Sequence, residues 1–198
     1  GPDYIEVLLR MRTEDGVVAP GEFAVAVERY GQIAAMDRHI LQELIPALRR
    51  GALPGSEHWF IADLIPGAHP FDELELALLR VASTQPVSLR EQIDRDARGL
   101  LRAARLVLPD DDESELLVVV DQFEELFTLV ADERTRSHFL NSLVAAVSDP
   151  RSRVRVIVTL RADYYDRPLR YGALGELMRA NTEVVLPLDH SELEQAIS

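Results

Sequence analysis

Apolar and polar positions alternate with two different periods along the chain, and the change of period marks its elements. Tyr4 to Met11 reads as a first strand, with Ile5, Val7 and Leu9 interleaved with Glu6, Leu8 and Arg10. Thr13 to Gly21 reads as a turn region, carrying Glu14-Asp15-Gly16 and Ala19-Pro20-Gly21. Helices are expected at Gly21 to Tyr30 and at Ile33 to Arg50, the second kinked at Pro46 and closed by Gly51. His58 to Ile65 is a strand ended by Pro66-Gly67. Phe71, Leu74, Leu78 and Val81 recur at helical spacing. Ser88 and Glu91 form a capping box for a helix over Leu89 to Leu106. After an acidic loop, Leu116 to Asp121 is a buried strand ending on an acid, and Thr135 to Val147 is helical. Val154 to Leu160 is a second buried strand, Leu169 to Arg179 a helix, Glu183 to Leu186 a short strand, and Asp189 with Glu192 opens a last helix.

Strands of five to eight residues alternating with helices predict an α/β fold. The expected form is a three-layer sandwich around a mostly parallel sheet of about five strands, built as one domain over 1–198. Ligands of such sheets bind beyond the carboxyl ends of the strands. The polar residues after Val120 and after Leu160 lie at that edge. No internal repeat or low-complexity segment interrupts the chain.

Composition narrows the functional classes. The net charge of −13 disfavours a nucleic-acid binder, since phosphate contacts need a basic face. The longest apolar run, Leu116 to Val120, is too short to span a bilayer, and no charged-then-apolar leader opens the chain, so no membrane association and a cytoplasmic location are expected. Cysteine is absent, which excludes disulfides and thiolate sites. All 21 basic residues are arginine, so no lysine is available to a phosphate loop or a Schiff base.

The segment Leu116-Leu117-Val118-Val119-Val120-Asp121-Gln122-Phe123-Glu124-Glu125-Leu126 has Walker B character: an apolar central strand with an acid at its tip, placed to hold Mg²⁺ through water. A nearby Glu is suited to polarise an attacking water. Val154 to Asp163 sets Arg161 just past the end of the next strand, where it either reaches a terminal phosphate or pairs with Asp163 or Asp166. With these two segments, Leu44-Ile45-Pro46-Ala47-Leu48-Arg49-Arg50-Gly51 and the stretch through Ala196-Ile197 resemble a STAND-class P-loop NTPase domain of the kind found ahead of WD40 repeats. The resemblance implies Asp121 as the Mg²⁺-side acid, Arg161 as a sensor arginine, and Glu124 or Glu125 as the water-orienting base. Gln122 stands where many relatives have an acid.

In that family a strand, a Gly-Lys-Ser/Thr loop and a helix precede the position of Leu44, and here no such loop exists. Tyr4 to Arg12, Gly16 to Phe23, Ala26 to Gly31 and Asp37-Arg38 instead resemble a βα fragment of an EAL domain, a cyclic di-GMP phosphodiesterase, over about 3–41. That resemblance implies Glu6 as a vestigial metal ligand and Arg10 as a vestigial phosphate contact. The remaining acids of that two-metal site are missing.

The expected protein is therefore a chimera joined near Leu41 to Leu44, an NTPase-like scaffold with no catalytic activity and no cofactor. The Gly1-Pro2 start, like the scar left by tag cleavage, points to a designed joint. The alternatives are a regulatory module that still binds ATP with Mg²⁺ at Asp121 and Arg161, and a cyclic di-GMP-binding fragment using Arg10 and Glu6. The family's lid and effector domains fall outside these residues, and a homodimer is one way to cover apolar surface left by the join. His39, His58, His69, His138 and His190 lack metal-ligand spacing. Asp110-Asp111-Asp112-Glu113 lacks the glycine of a calcium loop, and Tyr164-Tyr165 either stack on a base or fill the sheet edge.

Overall fold

The computed structural model describes residues 6–9, 11–13, 16–18 and 45–185, with backbone alone for 6–9, 11–13, 16–18, 162 and 183–185. Its centre is a parallel sheet of β4 (Trp59–Leu64), β5 (Glu115–Val120) and β6 (Val154–Leu160), with Ile61 level with Leu117 and Leu117 with Arg155. The backbone of β1 (Glu6–Leu9) pairs in parallel with β6, Val7 opposite Thr159, and with β7 (Thr182–Val185), Leu8 opposite Val184. The order is β4-β5-β6-β1-β7.

That order, with right-handed crossovers, dictates which face each helix covers. The steps β4 to β5, β5 to β6 and β6 to β7 all move one way across the sheet, so their helices share a face. The step from β1 to β4 moves the other way and sends its connection to the opposite face. The two cores match this division. Leu116, Val118 and Val120 of β5 pack with Leu74 and Leu78 of α2 (Pro70–Val81), Leu100 and Ala104 of α4 (Gly99–Val107), Phe139 and Leu143 of α6 (Glu133–Ser148) and Met178 of α7 (Gly172–Ala180). The intervening Leu117 and Val119 pack on the other side with Ile61, Ile157 and Leu48 of α1 (45–49). A strand buried on both faces has no reason to alternate, which accounts for the unbroken apolar run of β5.

Several expectations need correction. The helix over Leu89 to Leu106 is two: α3 (Leu89–Asp94) and α4. The Asp96 carboxylate accepts the Arg98 N–H at 2.8 Å, a local turn that competes with helix continuation. The capping box does not form. Ser88 has φ 58 and makes no side-chain cap hydrogen bond, because the left-handed backbone replaces the extended one that aims a cap hydroxyl at the helix. The first strand ends at Leu9, and the expected turn region holds half of a short antiparallel hairpin, β2 (Met11–Thr13) with β3 (Gly16–Val18). The helix from Leu169 is a 3₁₀ turn, Pro168–Arg170, and then α7, and α6 starts two residues early because Asp132 caps it through the Arg134 and Thr135 N–H groups. A one-turn helix, α5 (Glu125–Thr128), has no counterpart among the expected elements.

Gly51 closes α1 as expected, with φ +80 and its N–H on the Leu48 carbonyl at 2.9 Å. The helix expected over Gly21 to Tyr30, residues 33–44 of the next, the join at 41–44 and the last helix from Asp189 lie outside the described residues. Among the described residues, no helix is long and apolar enough to cross a membrane.

Candidate functional site

The carboxyl ends of β5 and β6 are tied into one corner by main-chain and hydroxyl hydrogen bonds. At the tip of β5 the Asp121 N–H still reaches the Leu64 carbonyl of β4 at 2.8 Å, and then the chain turns. Gln122 takes the turn with φ 52, a left-handed conformation that costs a residue with a Cβ roughly 1–2 kcal/mol. Two hydrogen bonds hold it there: its N–H lies 3.0 Å from Asp121 Oδ1 and 3.0 Å from Thr159 Oγ1. The next N–H, of Phe123, donates to the Thr159 carbonyl at 2.9 Å, and the Phe123 ring is fully buried. The Thr159 hydroxyl in turn donates to Asp121 Oδ1 at 2.5 Å. Asp121 is thus fixed by β6 as well as by its own strand.

Glu124 sits behind this corner and is 8% exposed. Burial pushes its carboxyl above the usual glutamate range. The Arg161 N–H, at 3.4 Å from its Oε2, and the Arg161 charge pull the other way, while Asp121 adds to the rise. Glu125 points elsewhere: its Oε2 accepts the Gly67 N–H at 3.1 Å, tying α5 to the loop after β4. Of the two candidate bases, Glu124 is therefore the one beside Asp121 and Arg161, and Glu125 is a structural tie.

The Arg161 guanidinium forks onto Asp163, Nε to Oδ1 at 3.1 Å and NH2 to Oδ2 at 3.0 Å, and lies 5.5 Å from the Tyr164 ring centroid. The pairing with Asp163, one of its two expected uses, is thus formed. Glu6 is placed only as backbone in β1, and Arg10 lies outside the described residues. Sequence reasoning missed Thr159. Its signal was a lone hydroxyl near the end of an otherwise apolar strand.

The other candidates close on themselves. Asp111 accepts from the Glu113 and Ser114 N–H groups at 3.0 and 2.6 Å, and Arg153 donates to the Pro109, Asp111 and Ser114 carbonyls, so an arginine serves the acidic loop as its cation. The Tyr165 hydroxyl lies 3.3 Å from Thr182 Oγ1, and Tyr164 lies under Arg161, so both tyrosines are engaged at the sheet edge. Among the described residues, no group of three or more His, Cys, Asp or Glu is arranged to hold a metal ion.

An acid and an arginine thus stand at the tips of adjacent parallel strands. The family model described as novel STAND NTPase 1 matches residues 42–198. The chain belongs to that family. The matched STAND region runs from before α1 through β7 and contains Asp121, Glu124 and Arg161, while residues 1–41, with β1 and the hairpin, fall outside it. No curated protein and no solved structure matches the chain.

Glu124 gives this STAND domain a pH signature. A carboxyl raised by burial favours folding while it is protonated, below its unfolded value. That contribution is lost as pH rises through the higher folded value. Glu124→Gln removes the loss. The variant is expected to be more stable than the parent at neutral pH, with the difference shrinking on acidification into the glutamate range. Urea midpoints at pH 4 and pH 7.5 check this, and a variant less stable at neutral pH would contradict it.

Proposed function

We propose that this STAND-family chain is a folded scaffold that does not turn over nucleotide. In this reading residues 1–198 form one three-layer α/β domain, with β1 and β7 completing a sheet of about five strands. An EAL-like βα unit, joined near Leu41 to Leu44, stands in place of the family's own strand, phosphate loop and first helix.

The observation that carries the proposal is the antiparallel hairpin directly after β1. This strand lies next to β6, and its carboxyl end opens on the edge that holds Asp121 and Arg161. A phosphate cradle belongs at that place, made of clustered backbone N–H groups with a lysine. Here the chain instead pairs Met11–Thr13 with Gly16–Val18, and no lysine occurs anywhere in its 198 residues. The family match begins at residue 42, so the strand and hairpin at issue lie outside it. Asp121 keeps the position of a Mg²⁺-side acid, but with no cradle it has no bound phosphate against which to hold the ion.

A second reading is favoured by the corner itself. Asp121, Thr159 and Glu124 are built and buried as a working site would need, and a STAND module with residual ATP–Mg²⁺ binding would use Asp121 and Arg161. Titration calorimetry with ATP–Mg²⁺ separates the two readings: the scaffold gives no saturable heat, and the binding module does.

A further inference from the structure

A cleft of about 410 Å³ opens between the first turns of α2 and α6 and the side of α3. It is lined by His69, Pro70, Phe71 and Asp72, by Arg90 and Asp94, and by Arg134, Thr135 and His138. None of these residues belongs to the corner around Asp121. The volume falls in the range of small-molecule sites.

The cleft's carboxylates are already satisfied. Asp72 and Asp94 both take the Arg90 guanidinium, Asp94 at 2.5 Å from Nε. The two nearest acids outside the lining are engaged as well. Asp132 accepts the Thr135 N–H at 3.0 Å and its hydroxyl at 2.7 Å. Glu133 accepts the Ser137 and Tyr171 hydroxyls, each at 2.9 Å, and pairs with Arg136 at 3.3 Å.

Two side chains of the lining are not spent in this way. The Arg134 guanidinium makes no hydrogen bond among the described residues and acts on Asp132 through its charge alone, and neither ring nitrogen of His138 has a hydrogen-bond partner there. Arg134 and His138 are one turn apart on α6, so they share a face. The His138 ring is set by Phe71, 4.8 Å between centroids, and its Nε2 is buried, which leaves Nδ1 as the nitrogen able to meet a ligand. With its carboxylates and Arg90 spent on one another and Arg134 and His138 left over, the cleft suits a ligand that brings acceptor oxygens.

Charge decides which oxyanion fits. Arg90 and Arg134 balance Asp72 and Asp94 in the lining, and the chain as a whole carries −13. A dianion meets repulsion that a single negative charge largely avoids. Pro70 and the Phe71 ring offer an apolar wall for the rest of the molecule. We propose that this cleft binds a small monocarboxylate, its carboxylate on Arg134 and His138 and its apolar body on Pro70 and Phe71.

The test tracks the ring-proton NMR signals of His69 and His138 while benzoate, or separately inorganic phosphate, is titrated into the protein at constant ionic strength. The expected result is a saturable shift with benzoate, weaker binding of phosphate, and at least a fivefold loss of benzoate affinity in Arg134→Ala. Arg134 is exposed, so its removal leaves the fold intact, which the melting temperature verifies. Arg161→Ala should bind benzoate as the parent does. No saturable shift, equal affinity in Arg134→Ala, or phosphate binding more tightly than benzoate would each overturn the proposal.

Discussion

Thr159→Val is expected to destabilise the protein by about 2–3 kcal/mol with almost no change in side-chain volume. The loss is one of hydrogen bonding. The hydroxyl donates to Asp121 Oδ1 at 2.5 Å and accepts the Gln122 N–H at 3.0 Å, and Thr159 is 3% exposed. Valine keeps the shape and leaves a buried carboxylate short of a donor. It also weakens the hold on the left-handed Gln122. Thr159→Ser keeps the hydroxyl and should lose only about 1 kcal/mol, the value of a buried methyl. Urea unfolding with an unchanged slope measures both. Equal losses in the two variants would mean that the methyl, not the hydroxyl, is what matters at this position.

Gly99→Ala should have an effect of opposite sign to the usual one. An alanine replacing a helical glycine normally stabilises by up to about 1 kcal/mol. At Gly99, the first residue of α4, a Cβ would lie 2.2 Å from the Ile93 carbonyl oxygen and 2.7 Å from that of Gln92. Both are backbone atoms and cannot rotate away, so the turn between α3 and α4 must open. A cost of about 3 kcal/mol is expected, at the upper end for overpacking. Gly172, at the start of α7, has nothing within 4 Å of its Cβ position, and Gly172→Ala is the matched control, neutral or slightly stabilising. If Gly99→Ala were stabilising, α3 and α4 would be joined more loosely than described.

These two sites also mark where the sequence was legible and where it was not. The apolar run Leu116 to Val120 announced a strand buried on both faces, and its alternate residues do feed two separate cores. The acid at its tip and the arginine after the next strand could be placed on one edge because parallel strands point the same way. The order of strands was not readable, since pairing β1 beside β6 joins positions about 150 residues apart and leaves no local trace. The break after Asp94 was hidden because Leu89, Ile93 and Leu100 keep a helical rhythm across it. Its true signals were Asp96, which bonds its own backbone, and the glycine at 99. Ser88 and Glu91 have the spacing of a capping box, but the backbone at Ser88 is left-handed, and spacing does not report φ. Glu124 and Glu125 were indistinguishable in sequence. Only the turn through Gln122 and Phe123 sends one inward beside Asp121 and the other to Gly67.

The central claim is that an NTPase-family edge without a phosphate cradle holds no nucleotide. Isothermal titration of ATP–Mg²⁺ into the purified chain, beside the Asp121→Ala, Arg161→Ala double variant, tests it most directly. The scaffold reading predicts no saturable heat in either protein. Saturable binding to the parent that disappears in the double variant would contradict it and show that the acid and the arginine hold nucleotide without the loop.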